Sequence, residues 1–256
     1  MLTVMPVPAF RDNYIWLIRG PETADVAVVD PGDARPVLDI LRSEGLRPVA
    51  VLITHHHLDH TGGILEIVKQ HDIPVYGPAN ENIPGRTHAL VENDVVNIDQ
   101  LGACFQVLEL PGHTTGAIAY YGDGKIFVGD TLFMAGCGRL FEGTPSQMHA
   151  SLAKLRQLPD DTLVYCAHEY TLANLAFAMA VEPENPAIQQ RLRACEERRR
   201  SNLPTVPGDM AQEKATNPFL RSHVDTVYRA AAGFTGRNPA SDVEVFAAIR
   251  SWKDQF

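Results

Sequence analysis

The sequence predicts an α/β (α+β) protein of layered sheets covered by helices, followed by a smaller helical region. Three observations carry that expectation. Up to about residue 170, short apolar runs rich in β-formers alternate with turns and a few helical patterns. Beyond Tyr170 the β signal fades and the periodicity becomes helical. The 256 residues, 45% of them hydrophobic, suffice for one large core, or one core with a smaller companion.

The runs 14–18, 26–29, 49–53, 105–110, 118–121, 126–128 and 163–165 are predicted strands, each apolar and bounded by turn residues. Helices are predicted over 33–44, closed by Gly45, and over 63–70 and 146–158. Strands mixed with helices in this way imply sheets with helices packed on them. Past the boundary, 171–181, 186–200 and 241–252 are predicted helices, the last opening on the capping box Ser241 and Glu244. The stretch 202–217, with Pro204, Pro207 and Gly208, is predicted to be a loop. The expected domains are therefore 1–170 and 171–256.

A formal net charge of -9 disfavours nucleic acid or an anionic membrane as partner, since both call for a basic surface. It leaves room for a local basic pocket that takes an anionic small molecule. The start, Met1-Leu2-Thr3-Val4-Met5-Pro6-Val7, lacks the basic and apolar regions of a secretory leader. The apolar run 175–181 is far too short to span a membrane. Cys104, Cys137, Cys166 and Cys195 show no C-x-x-C spacing and read as reduced, buried thiols of a cytoplasmic protein, with Cys137 placed in a Gly-rich loop.

Four predicted strands end on metal-competent side chains. The first runs into Thr54-His55-His56-His57, the second into Pro111-Gly112-His113, the third into Gly129-Asp130 and the fourth through Cys166-Ala167 into His168. Strand ends in one sheet lie side by side, so these residues are expected to converge. His55 and His57 project to one side of an extended chain while His56 points away, and Asp59 and His60 follow at once. The set His55, His57, Asp59, His60, His113, Asp130 and His168 exceeds what one ion of low coordination number takes. It suits two divalent ions, zinc first and iron or manganese as alternatives, with a carboxylate between them. A lone histidine is usually solvated or a satisfied core residue, and His71, His88, His149 and His223 are read that way.

The segment His55-His56-His57-Leu58-Asp59-His60 meets the H-x-H-x-D-H motif, and at this point the chain resembles the metallo-β-lactamase superfamily. Within it the chain is similar to the glyoxalase II (hydroxyacylglutathione hydrolase) family. That likeness runs through Val29-Asp30-Pro31-Gly32, Pro111-Gly112-His113-Thr114, Gly129-Asp130-Thr131-Leu132-Phe133, Cys137-Gly138-Arg139 and Phe141-Glu142-Gly143-Thr144. It continues through His168-Glu169-Tyr170-Thr171, Asn217-Pro218-Phe219-Leu220-Arg221 and Lys253-Asp254-Gln255-Phe256.

The resemblance implies an αββα sandwich followed by a helical substrate-binding domain. It implies one metal on His55, His57 and His113, a second on Asp59, His60 and His168, and Asp130 bridging. Asp59 and Asp130 are then the catalytic carboxylates, and Asp30 an acid that orients a ligand loop. It further implies hydrolysis of S-D-lactoylglutathione to glutathione and D-lactate, in methylglyoxal detoxification, by a metal-bridging hydroxide. Arg139, Phe141, Tyr170, Arg250 and Lys253 become the substrate contacts. Many members carry tyrosine where this chain has Phe141, so a hydroxyl contact to glutathione is absent or supplied elsewhere.

Arg250 and Lys253, three positions apart near a helix end, are expected to share a face. Helix capping by the same cations is the plainer account of them. The alternative activity within the superfamily is a glutathione persulfide dioxygenase using one iron. A nucleic-acid-binding role for Arg191, Arg193, Arg198, Arg199 and Arg200 is the other rival, but Glu196 and Glu197 interrupt the run and favour a solvated helix face. The expected partner is the small-molecule glutathione thioester alone, with a monomeric chain.

Overall fold

Strands buried on both faces organise the first of two units. The computed structural model describes residues 1–256; the first unit is Met1–Glu109 with Thr115–Gly129, the second Leu110–Thr114 with Asp130–Phe256. The first holds β1 (Thr3–Ala9), β2 (Asn13–Arg19), β3 (Asp25–Val29), α1 (Ala34–Ser43), β4 (Arg47–Leu52), α2 (Leu58–Thr61) and α3 (Ile64–Gln70). It continues with β5 (Val75–Pro78), β6 (His88–Leu90), β7 (Val95–Ile98), β8 (Ala103–Glu109), β9 (Ile118–Gly122) and β10 (Lys125–Gly129).

One sheet runs in the order β1-β2-β3-β4-β5-β6, antiparallel from β1 to β3 and parallel from β3 to β6. The other orders β7, β8, β9 and β10 as antiparallel neighbours. Ile15, Leu17, Val26, Val28, Val51 and Ile53 pack with Val37 and Leu41 of α1 and Ile64 and Ile67 of α3. Trp16, Ile18, Ala27, Val29, Ala50 and Leu52 point to the opposite face and are buried too. Strands covered on both faces read as unbroken apolar runs, which is why they were visible in the sequence.

Tyr120 ties the two sheets. From β9 its hydroxyl donates to Ile53 O at 2.9 Å and to Tyr76 O at 3.3 Å. Burial, with the Asp30 charge adding to it, pushes the phenol pKa well above its ordinary value, so Tyr120 stays a donor.

The second unit contains the two-residue strands β11 (Leu132–Phe133) and β12 (Gly136–Cys137), then α4 (Pro145–Arg156), β13 (Leu163–Cys166), α5 (Thr171–Val181) and α6 (Pro186–Arg200). It ends with β14 (Gly208–Asp209), α7 (Met210–Thr216), α8 (Asp225–Thr235) and α9 (Asp242–Gln255). Thr144 opens α4 with a full capping box to Gln147. Ser241 caps α9, its hydroxyl accepting from Glu244 N, while the Glu244 carboxylate accepts from Ala240 N. Leu175 and Ala178 of α5, Ile188 and Cys195 of α6, and Ala135 form a buried cluster. No helix is long and apolar enough to cross a membrane.

The structure corrects the sequence expectations at several places. The loop expected over 202–217 contains α7, which begins where the Asp209 carboxylate accepts from Gln212 N at 2.7 Å. The prolines upstream masked that cap and the helix-forming Met-Ala-Gln-Glu-Lys-Ala behind it. Helix α8 was not expected, and β1 was hidden by Pro6 and Pro8, which an edge strand tolerates. The strands preceding the candidate ligands do not share one sheet: β4 lies in the first, β8 and β10 in the second. Cys104 is exposed, on the outward face of β8, whereas the other three cysteines are buried. Arg191, expected on a solvated face, is buried against Glu213. Tyr120→Phe is expected to cost about 1–2 kcal/mol of stability in urea unfolding, the worth of a buried hydrogen bond; an unchanged midpoint would show that the hydroxyl does not tie the sheets.

Candidate metal centre

The two units each present a cluster of candidate ligands, and in each, neighbouring groups set the proton on at least one imidazole. In the first unit the organiser is Asp30, 3% exposed, at the end of β3. It sits at φ 51°, a left-handed conformation that aspartate tolerates better than most residues. Its Oδ1 accepts from Thr54 N at 2.8 Å and its Oδ2 from the Thr54 hydroxyl at 2.7 Å. His60 Nδ1 lies 3.0 Å from the same Oδ2. The Thr54 hydroxyl proton is thereby used on Asp30, so His55 Nδ1, 3.1 Å from Thr54 Oγ1, is the donor of that contact. Both His55 and His60 carry Nδ1–H, and their Nε2 atoms present lone pairs.

Those lone pairs face two further candidate ligands. His55 Nε2 is 3.1 Å from His57 Nδ1, and His60 Nε2 is 3.7 Å from Asp59 Oδ2. Asp59 is turned by Asn13, whose amide donates to its Oδ2 at 3.0 Å. His56 points elsewhere, Nδ1 to Glu81 Oε2 at 3.1 Å, and Glu81 Oε1 accepts from Gly116 N at 3.1 Å. Gly32 lets the Asp30 turn approach this loop, because a Cβ there would strike the Asp59 carbonyl.

In the second unit Asp130 Oδ2 lies 3.5 Å from His113 Nε2 and 3.3 Å from His168 Nε2. His113 Nδ1 donates to Arg139 O at 2.8 Å, so its Nε2 also bears a lone pair toward a carboxylate. The loop holding His113 is fixed by Ser151 of α4, whose hydroxyl donates to Pro111 O at 2.8 Å, and by Phe141 N on His113 O. The ring of His168 stacks on Tyr170 with centroids 4.7 Å apart and 3° between planes, and meets the edge of Phe133.

His60 Nε2 facing Asp59 Oδ2 and His113 Nε2 facing Asp130 Oδ2, lone pair to lone pair at 3.5–3.7 Å, call for a cation between them, either a proton or a metal. A tetrahedral ion with ligand bonds of 2.0–2.1 Å spaces its donors roughly 3.3–3.4 Å apart, so both clusters fit a divalent ion such as zinc. His/Asp groups of this composition fit divalent metal in general.

A cavity of about 490 Å³ in the second unit joins His113 and Asp130 to all five expected substrate contacts. Arg139 is mostly exposed, and Phe141, 64% exposed, sets its ring edge-on to His113. Arg250 is buried: Nη1 donates to Cys137 O at 2.9 Å and Nη2 to Asp254 Oδ1 at 2.9 Å, over the Phe219 ring. Lys253 donates to Ala173 O at 3.1 Å. Burial lowers its pKa, and the neighbouring Arg250 and Arg139 charges lower it further. Cys137 lines the same cavity, its thiol pKa pushed up by burial against the opposing pull of Arg250. A larger groove of about 1020 Å³ bounded by α5, α6 and α8 holds no metal-competent cluster, and its one buried ion pair, Glu182 with Arg221, is already closed on itself. Sequence reasoning missed Thr54, Asn13 and Ser151; only Thr54, adjoining the histidine run, carried a positional hint.

Two family models cover the chain: metallo-beta-lactamase superfamily over residues 9–168, and hydroxyacylglutathione hydrolase C-terminus over residues 169–256. The hydroxyacylglutathione hydrolase of Alkalilimnicola ehrlichii is 56% identical over 255 residues, covering 100% of each chain. Among solved structures, ETHE1 from Myxococcus xanthus is 24% identical with a TM-score of 0.68, over 98% of this chain and 91% of that one. TTHA1623, solved in a di-iron-bound form, is 30% identical with a TM-score of 0.54, over 65% of this chain and 91% of that one. The fold is thus that of a metallo-β-lactamase with a helical C-terminal extension. The chain belongs to the hydroxyacylglutathione hydrolase family of that superfamily.

Asp30→Asn is expected to lower metal affinity roughly 10–100-fold, because the amide would face His60 Nδ1 and force the proton onto Nε2. Competition with a chromophoric chelator measures this, and wild-type affinity in the variant would refute the role given to Asp30.

Proposed function

We propose that this protein hydrolyses S-D-lactoylglutathione, a 2-hydroxyacyl thioester of glutathione, to glutathione and D-lactate. The observation that carries this reading is the cavity in which two metal-competent side chains adjoin Arg139, Arg250 and Lys253 in a chain of net charge -9. The full-length likeness to proteins named hydroxyacylglutathione hydrolase supports it. We assign His55, His57 and His113 to one ion and Asp59, His60 and His168 to the other, with zinc the first choice. Asp130 is the bridge, in keeping with one of its oxygens standing between His113 and His168. The functional division is taken to fall near residue 170, with 171–256 contributing most substrate contacts. The working protein is taken to be a cytoplasmic monomer.

When bound, the ions supply a water whose pKa falls toward neutrality and a positive charge against the thioester carbonyl. The rest is work of the chain itself. Asp30 and the Arg139 carbonyl keep the ligand imidazoles in the tautomer that offers Nε2. The leaving thiolate, with a conjugate acid of pKa roughly 8.5, needs no general acid. The Arg250 and Arg139 charges disfavour the Lys253 ammonium, Asp254 offsets part of this, and a carboxylate of glutathione beside Lys253 would offset more. Phe141 offers this ligand a ring face and no hydroxyl.

The persulfide dioxygenase alternative is set aside because the match of the C-terminal residues 169–256 is to hydroxyacylglutathione hydrolases. Loss of the thioester absorbance on adding protein, its abolition by prolonged chelation and its return with zinc, iron or manganese is the expected result. Full turnover in a metal-free preparation, or oxygen uptake with glutathione persulfide in its place, would reject the reading. Lys253→Ala should raise KM for S-D-lactoylglutathione roughly tenfold, as the loss of a shielded charged contact implies, and change kcat little. A simple thioester lacking glutathione should be unaffected; equal effects on both substrates would argue against a glutathione contact.

A further inference from the structure

One wall of the 490 Å³ cavity is made by Phe133 and Cys137, which stand at the two ends of the β11–β12 turn. Four strand residues cannot hold such a turn by themselves. Ala135 at its tip has φ 56°, a conformation that a residue with a Cβ enters only under constraint. The constraint comes from buried side chains. Ala135 N donates to Glu213 Oε2 at 2.9 Å, and Asn217 Nδ2 donates to Gly136 O at 2.9 Å, with Phe133 O at 3.3 Å. Asn174 Nδ2 donates to Met134 O at 3.1 Å. Four consecutive residues thus have a backbone group held from outside the turn.

Glu213 is the centre of this arrangement and is fully buried. Its Oε1 accepts from Arg191 Nη2 at 2.5 Å, its Oε2 from Asn217 Nδ2 at 2.9 Å as well as from Ala135. Arg191 is fixed in turn by Thr216, at 2.6 Å. A buried ion pair is a poor device for stability, since apolar side chains of like volume usually do as well. None of the four side chains belongs to the ligand set. What the pair does accomplish is to hold one carboxylate oxygen immobile against the Ala135 amide.

We propose that Glu213, oriented by Arg191, is a positioning residue that holds the 133–137 turn and thereby sets the cavity wall against which the substrate binds. The wall matters through two contacts. The Phe133 ring packs edge-on against both His168 and Tyr170. The Cys137 carbonyl accepts from Arg250 and so fixes that cation. The inference rests on the functional reading above for its kinetic part alone.

Two double variants isolate the acceptor. Arg191→Met with Glu213→Gln removes the ion pair and keeps a carbonyl oxygen for Ala135 N; Arg191→Met with Glu213→Met removes both. In the Met pair the Ala135 amide should exchange hydrogen at least about tenfold faster than in the Gln pair, as local opening of the turn requires. KM for S-D-lactoylglutathione should rise roughly fivefold or more in the Met pair only, with kcat and metal content little changed. Equal exchange and equal KM in the two would overturn the proposal, as would a thermal shift without a KM shift. Glu213→Asp keeps the charge on Arg191 but draws the oxygen back from Ala135, so it serves if a double variant does not fold. A raised KM is expected there, and a wild-type KM counts against the proposal. If the wild-type protein does not cleave the thioester, the functional reading fails while amide exchange still decides the positioning role.

Discussion

A single buried carboxylate, Asp30, is the constraint on which the first ligand cluster depends. Its two oxygens accept from the backbone of Thr54, the hydroxyl of Thr54 and the ring of His60. One residue therefore fixes the path of the chain as it leaves β4 and, through hydrogen-bond bookkeeping, the tautomers of His55 and His60. Metal affinity depends on lone pairs being where ligands are needed, so the proton on the far side of each ring matters as much as the near nitrogen. The second cluster uses the same logic with a cheaper part: the carbonyl of Arg139 takes the Nδ1 proton of His113.

The candidate ligands divide four and three between two units, and each unit builds its share on different elements. In the first, a parallel strand ends in a short turn, as in sheets where function collects beyond the carboxyl ends of the strands. In the second, α4 braces the loop of His113, and side chains of α5 and α7 brace the segment that follows Asp130. The helical part of the chain therefore contributes to the candidate site itself. It supplies the cavity and stiffens the segment that follows Asp130.

Most of the site's chemistry was legible in the sequence, because it is written in residue types that have few other uses in such density. Four histidines and an aspartate within six positions leave little room for a structural account. Long buried strands were legible for the related reason that both faces are apolar. What escaped falls into two physical kinds. Short or edge strands such as β1 carry too few side chains, or prolines that only an edge admits. Supporting residues such as Asn13, Ser151 and Glu213 are ordinary polar side chains whose roles arise only from burial. Glu213 sits in a helix that the prolines before it concealed, and Arg191 looked like one more charge in a basic run. A charge's partner lies across the fold, and its spacing along the chain says nothing of that partner.

Two of the seven non-glycine residues with positive φ coincide with this hidden support. Asp30 and Ala135 both occupy the left-handed region without being glycine, at φ 51° and 56°. Each costs on the order of 1–3 kcal/mol and persists only where its surroundings over-determine it. Asp30 N donates to Leu52 O while its side chain is locked on Thr54 and His60; Ala135 N is locked on Glu213. Glycine at either position would relax the backbone, but at Asp30 it would also delete the carboxylate that sets two imidazoles. At Ala135 it would widen the range of the turn that carries Phe133 and Cys137. Strain at these two points is thus the consequence of needing one defined geometry: an acid that must reach the chain leaving the neighbouring strand β4, and a tight turn that must present two side chains to a cavity. The carboxylates of Asp30 and Glu213 each have both oxygens engaged, because an unpaired carboxylate oxygen buried there would cost more than the turn stabilises.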